Sequence, residues 1–231
     1  MKHLVLALAI SLSALSVVPV AAQSSKAVVA GERTISIAIP AGYQDLATVS
    51  ADWVRQLFGF VAEDEVPLLV IVADAVSAET PDWTSTTAYA IVSAIKHSLG
   101  GTTSTPDFVG QIDFAANGLR DVSPLTETDA AALLQQALAS AETPPRFDPA
   151  SPLAIEGVQV LAVTESGEDS AAITILHPTP DAALVVNDLG FINLNGQLLK
   201  VASFAVLRDA TTVATLQGLG KAIRVGTLAA N

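Results

Sequence analysis

The spacing of apolar residues changes character along this chain, and each change predicts an element. In Ala27–Tyr43 (AVVAGERTISIAIPAGY), Ile35, Ile37 and Ile39 recur at period two, which puts them on one face of a strand. Gly31 supplies a turn before them, and Pro40 and Gly42 end the run, so the segment predicts a β-hairpin. Ser50–Gly59 (SADWVRQLFG) predicts a short helix, with Ser50 as N-cap and Gly59 beyond its end. Val66–Ala75 (VPLLVIVADA) is a continuous apolar run of strand length, as expected of a strand covered on both faces.

The next segment carries a helical pattern. Thr80 can cap, Pro81 and Asp82 suit a first turn, and Trp83, Ala88, Ile91, Val92, Ile95 and Leu99 recur near helical spacing. This predicts a helix over Pro81–Leu99, stopped by Gly100-Gly101. A further helix is predicted over Glu127–Ala141, with Thr126 and Asp129 as a capping box and Leu133, Leu134 and Leu138 as its stripe. Between them, Asp107–Leu125 reads as strand and turn. Glu142–Pro152 (ETPPRFDPASP) holds four prolines and reads as an exposed connector.

Strand patterns then return. Val158–Leu176 predicts a hairpin around Gly167, Ala182–Asp188 a short strand, and Gly190–Leu207 a hairpin around Asn195-Gly196. Asn-Gly is the pair that a two-residue type I′ turn requires, because both positions take positive φ. In that hairpin Ile192, Leu194, Leu199 and Val201 share one face, and Phe191, Leu198, Phe204 and Val206 share the other. Asn193 falls on the second face, so its amide needs a partner if that face is covered. Thr211–Asn231 predicts a C-terminal helix, weakened by Gly218, Gly220 and Gly226 at about 1 kcal/mol each. Two apolar faces both want a cover. The expected fold class is therefore α+β: an antiparallel-rich sheet with helices on both faces, a three-layer α/β/α sandwich.

Composition narrows the setting. Lys2 and His3 precede an apolar stretch that ends in Val20-Ala21-Ala22. Residues 1–22 thus predict a secretory signal peptide cleaved near Ala22, which leaves 23–231 as a single domain, periplasmic or secreted. No later stretch reaches the roughly 18 apolar residues that a span requires. The chain carries 11 Lys and Arg against 23 Asp and Glu, a net charge of −12. Such a field repels phosphate backbones, so no nucleic-acid partner is expected. With no cysteine, thiolate chemistry, iron–sulfur clusters and cysteine zinc sites are excluded.

Candidate chemistry is sparse. His177, near Asp181 and Asp188, could act as a general base, but no G-x-S-x-G or other nucleophile motif accompanies it. His97, beside Lys96, suits the negative end of the predicted helix. There is no H-E-x-x-H, so no transition-metal site is expected. Glu63-Asp64-Glu65 are consecutive and point in different directions, which reads as a solvated loop rather than a calcium site; Glu165–Asp169 reads as a turn. Gly100–Pro106 (GGTTSTP) follows the predicted helix and lacks a Walker lysine, so helix termination explains its glycines. Trp53, Phe58, Phe60 and Trp83 read as core, although a Trp83 exposed near Tyr43 would mark a cleft. Asn187, Asn193 and Asn195 raise the question of whether their amides, with Asp188, converge on one space. No catalytic, cofactor-binding or metal residue is assigned, and no cofactor is expected.

The hairpin leading into IPAGY, the NLNGQLLKVASFAV hairpin and the terminal helix ending in AAN resemble uncharacterised secreted bacterial proteins of the Mog1/PsbP-like fold family. The terminal helix departs from that pattern in being glycine-rich and lacking an aromatic on its buried face. The family hosts unrelated roles, from a GTPase-binding import factor to photosystem assembly subunits. The resemblance therefore implies a binding or accessory protein more than an enzyme. The expectation is an exported, non-enzymatic protein of the bacterial cell envelope that binds a protein or envelope component. The alternative is a small-molecule or lipid-binding periplasmic domain, and a third reading is a hydrolase using His177.

Overall fold

A computed structural model describes residues 22–80, 84, 87–122, 159–178 and 184–231. The predicted signal peptide, the helix over Glu127–Ala141, the Glu142–Pro152 connector, Trp83 and Asp181 lie outside the described residues, save that Ala22 opens the first strand.

The first hairpin forms as expected. Strands β1 (Ala22–Ala30) and β2 (Arg33–Pro40) pair antiparallel across Gly31, whose φ is 65°. They form a two-stranded sheet of their own. Among the described residues the main sheet has seven antiparallel strands, taken in the order β3 (Tyr43–Asp45), β4 (Glu65–Ala73), β5 (Tyr89–Ile95), β9 (Gln197–Val206), β8 (Leu184–Leu194), β7 (Ser170–Pro178) and β6 (Gln159–Ser166). Helices α1 (Ala51–Phe58), α2 (Thr105–Val122) and α3 (Ala210–Ala229) pack around it.

The cross-strand register sorts the core into two layers. Leu69, Ile71, Ala90, Val92, Val201, Leu199 and Ile192 project to one face, where they meet Ile35, Ile37 and Ile39 of the hairpin and Leu219 and Ile223 of α3. Val70, Val72, Tyr89, Ile91 and Val206 project to the other face, against Leu57, Trp53 and Phe58 of α1. Further along that second face, Leu198, Phe191 and Ala171 pack on Phe108 and Ile112 of α2. The chain is thus an α+β protein with an antiparallel sheet and helices on both faces. The two faces read from the Asn195-Gly196 hairpin are the two observed.

Local chemistry explains the helix ends. The Ser50 hydroxyl accepts from Trp53 N at 3.3 Å and opens α1. Asp209 and Thr212 close a capping box at the start of α3. Ser104 caps α2 in a related way: its hydroxyl accepts from Asp107 N at 3.3 Å.

Two secondary-structure assignments are overturned, and with them the reading of the loop between them. Residues 89–95 are not helix but β5, hydrogen-bonded to β4 on one side and β9 on the other. Every one of its residues is buried. A strand covered on both faces is apolar at nearly every position, so it also satisfies a helical template, and here pairing decided the outcome. Directly after β5 the chain makes only a 3₁₀ turn, at Lys96–Ser98. Conversely, of Asp107–Leu125, expected as strand and turn, the residues through Val122 lie in α2. Gly110, Asn117 and Gly118 look like turn residues, but the Ser104 cap and the Phe108–Ile112 pair, one helical turn apart, outweigh them.

Candidate functional site

At one end of the sheet, chain segments far apart in sequence enclose a polar groove of about 530 Å³. Its walls are the Gly101–Thr105 loop, the Asn193–Gly196 turn, Asp169 from the β6–β7 turn, and Leu228 and Asn231. Asn195 and Gly196 have φ of 50° and 86°, the two positive values of a type I′ turn. Asn193 also finds its partner here: its Oδ1 accepts from Gly196 N at 2.9 Å.

The groove is held by interlocking turns. Thr103 N donates to Gly196 O at 3.0 Å. Gly101, at φ 70°, lies so close to Gly196 that a Cβ on Gly196 would collide with the Gly101 carbonyl. Arg33 Nη1 donates to Leu194 O at 3.1 Å, tying the first hairpin to the turn. Leu198 N donates to Ser98 Oγ at 2.9 Å. Asn231 holds Ser36 from both sides, accepting from its N at 3.0 Å and donating to its O at 2.8 Å. The walls are therefore fixed by bonds to other segments rather than by their own loops alone.

The lining decides what this groove can do. It presents hydroxyls and amides, which both donate and accept, and Asp169 supplies the one charged side chain among the described lining residues. The Gly100–Pro106 loop opens a helix rather than following one, contrary to the expectation. It still offers no phosphate cradle, because the Ser104 hydroxyl and the Asp107 carboxylate bond each other across the start of α2. The groove suits neutral or cationic surface, held by many weak polar contacts.

The remaining candidates are scattered. His177 and Asp188 cannot act together. His177 stands opposite Val185 and shares its face, whereas Asp188 stands opposite Thr174 and Ser203 on the α3 face. His97 is exposed in the 3₁₀ turn. Of the acidic triplet, Glu63 and Asp64 are exposed, but Glu65 is buried, ion-paired to Lys200 and bonded by the Ser93 hydroxyl. Among the described residues no three or more His, Cys, Asp or Glu side chains come together as metal ligands would. Trp53 and Phe58 pack in the core as expected, whereas Phe60 is 47 % exposed.

A buried ionic cluster was not foreseen. Arg224 of α3 reaches Asp188 of β8 and Glu165 of β6, each at 2.9 Å. Thr174 donates to Asp188 at 3.1 Å, and Gln217 donates to Thr174 at 2.9 Å. Gly190 and Gly220 make room for it, since a Cβ on Gly190 would strike the Arg224 guanidinium and one on Gly220 would strike the Asp188 carboxylate. Burial pushes the Asp188 carboxyl up, against the opposite pull of Arg224. Gly220, read from sequence as a helix weakness, is what lets the helix sit on a carboxylate.

No family model matches the chain, and neither does any curated protein. Solved structures are similar to it, among them two of Mog1. The Saccharomyces cerevisiae Ran-binding protein Mog1p shares 14% identity and covers 89% of this chain and 90% of its own, with a TM-score of 0.36. A mutant of protein Mog1 shares 14% identity and covers 89% of this chain and 91% of its own, with a TM-score of 0.35. Both belong to the fold family that the sequence resemblance names, and at these scores the likeness carries no argument about partner or activity.

Proposed function

We propose that this is an exported, non-enzymatic binding or accessory protein of the bacterial cell envelope, which engages a protein or another envelope component through the polar groove. The observation that supports this reading is the construction of the groove. Its walls come from distant parts of the chain and are locked by side-chain and backbone bonds, which is the preorganisation that a binding surface needs. Its described lining offers hydrogen bonding without a base placed beside a nucleophile. The test is recovery of partners from an envelope fraction by the full chain and by a T102R/D169R variant, which changes two exposed groove residues. A component enriched by the wild-type protein and lost with the variant supports the reading. Identical recoveries sink it. The hydrolase reading loses Asp188 as the carboxylate beside His177, since Asp188 lies on the opposite face; Asp181, its other candidate, lies outside the described residues. A second reading, a small-molecule-binding domain, is favoured by a different feature on the face that α1 and α2 cover.

A further inference from the structure

We propose that His177 and Asn187 form the polar floor of a second binding site, for a small neutral molecule that carries a donor and an acceptor side by side on an apolar body, as a primary carboxamide does. This deepens the small-molecule reading and is independent of the groove. His177 is 9 % exposed and Asn187 7 % exposed. Both His177 ring nitrogens and Asn187 Oδ1 are buried without a hydrogen-bond partner among the described residues. They belong together: His177 pairs with Val185, and Asn187 lies two residues further along the same strand on the same face. Such diagonal neighbours sit about 7–8 Å apart, a span that one small polar group can bridge.

The surroundings define the ligand. Ile175 and Phe204 flank Asn187 on the neighbouring strands. The Phe204 ring stacks on Tyr89 at 5.3 Å between centroids. These are surfaces for an apolar body. The strand positions around the pair on this face (Ile173, Ile175, Val185, Leu189, Phe204, Val206) carry no charge. A neutral imidazole offers one N–H and one lone pair, and Asn187 Oδ1 offers lone pairs. A carboxamide's N–H answers Asn187 Oδ1 while its carbonyl accepts from the imidazole N–H; the two ring nitrogens point apart, so one such group engages one of them. Buried polar atoms are ordinarily bonded, and an apolar strand face would be better served by Leu or Phe at both positions unless some state of the protein uses their polarity.

The experiment is a titration of the ¹⁵N-histidine-labelled full chain with benzamide, followed through the His177 imidazole resonances and the thermal midpoint. Saturable shifts of that imidazole, a rising midpoint, loss of the midpoint rise in H177F and loss of both responses in N187L support the site. The S203A variant, which removes an unpartnered hydroxyl on the opposite face, should keep the response, as should T102R/D169R. Imidazole resonances that stay unmoved by benzamide overturn the proposal. So does a shift that survives in N187L, or an ordered water at the imidazole that benzamide never displaces.

Discussion

Strands β7 and β8 carry a polar pair to each face of the sheet, and the two pairs are treated differently, although the single hydroxyls of Ser170 and Ser203 also lack partners among the described residues on the α3 face. On the α3 side, Thr174 and Asp188 stand opposite each other, and the buried carboxylate meets its cation. On the other side, His177 and Asn187 present buried atoms that nothing among the described residues answers. The residues alternate along the same strands, so position in the chain does not explain the contrast. The cover does. α3 was shaped for its face, with Arg224 and Gln217 reaching down and Gly220 opening a niche. A closed network of this kind specifies how the helix docks, whereas an open pair leaves polarity for something else to use.

The contrast can be broken most forcefully on the closed side. R224M leaves Asp188 buried without its cation and should lower unfolding free energy by about 3–5 kcal/mol in denaturant titrations. Adding D188L should recover most of that loss, because a buried ion pair replaced by apolar side chains of similar size is often neutral or better. If R224M is as stable as wild type, the network does not hold α3. Next, G190A should cost about 1–3 kcal/mol by crowding the guanidinium. The cost should shrink in the R224M background, as a double-mutant cycle would show.

Acid sharpens the comparison, because it acts on the two faces with opposite sign. Burial lowers the His177 pKa from 6.5, so below about that pH the unfolded chain takes up a proton that the folded one refuses. Stability linked to His177 is present above 6.5 and is lost as pH falls through the folded value. Asp188 is raised from 3.8, so its contribution is present below 3.8 and is lost as pH rises through the folded value. Unfolding midpoints measured from pH 7 downward should therefore fall more steeply in wild type than in H177F. Parallel curves would show that folding does not lower the His177 pKa. The smallest effect belongs to neither face. R55A removes a pair with Asp52 that is 77 % and 78 % exposed and should change stability by less than about 0.5 kcal/mol.

Much of the architecture was legible because it is written locally. The Gly31, Gly167 and Asn195-Gly196 turns, the Ser50 cap, the two apolar faces of the last hairpin and the terminal helix each rest on residues within one turn or one strand of each other. The exchange of helix for strand at 89–95, and of strand for helix at 105–122, arose where local pattern and tertiary pairing disagree. The ionic cluster left no local trace, since Glu165, Asp188 and Arg224 lie on separate elements and resemble ordinary surface charges in sequence. The groove was half legible. Asn195-Gly196 was read as a turn and Gly100-Gly101 as a stop, but nothing near either one says that they meet.

That meeting has a kinetic consequence. Gly101 and Gly196 belong to turns in the first and second halves of the chain, and their contact lies beside the β5–β9 pairing. Contacts of such long sequence separation are slow to form. The groove therefore depends on long-range pairing rather than on either turn alone. If the groove binds a partner as proposed, that partner would distinguish completely paired molecules from incompletely paired ones, and the two glycines that shape the groove would also mark the molecule as folded.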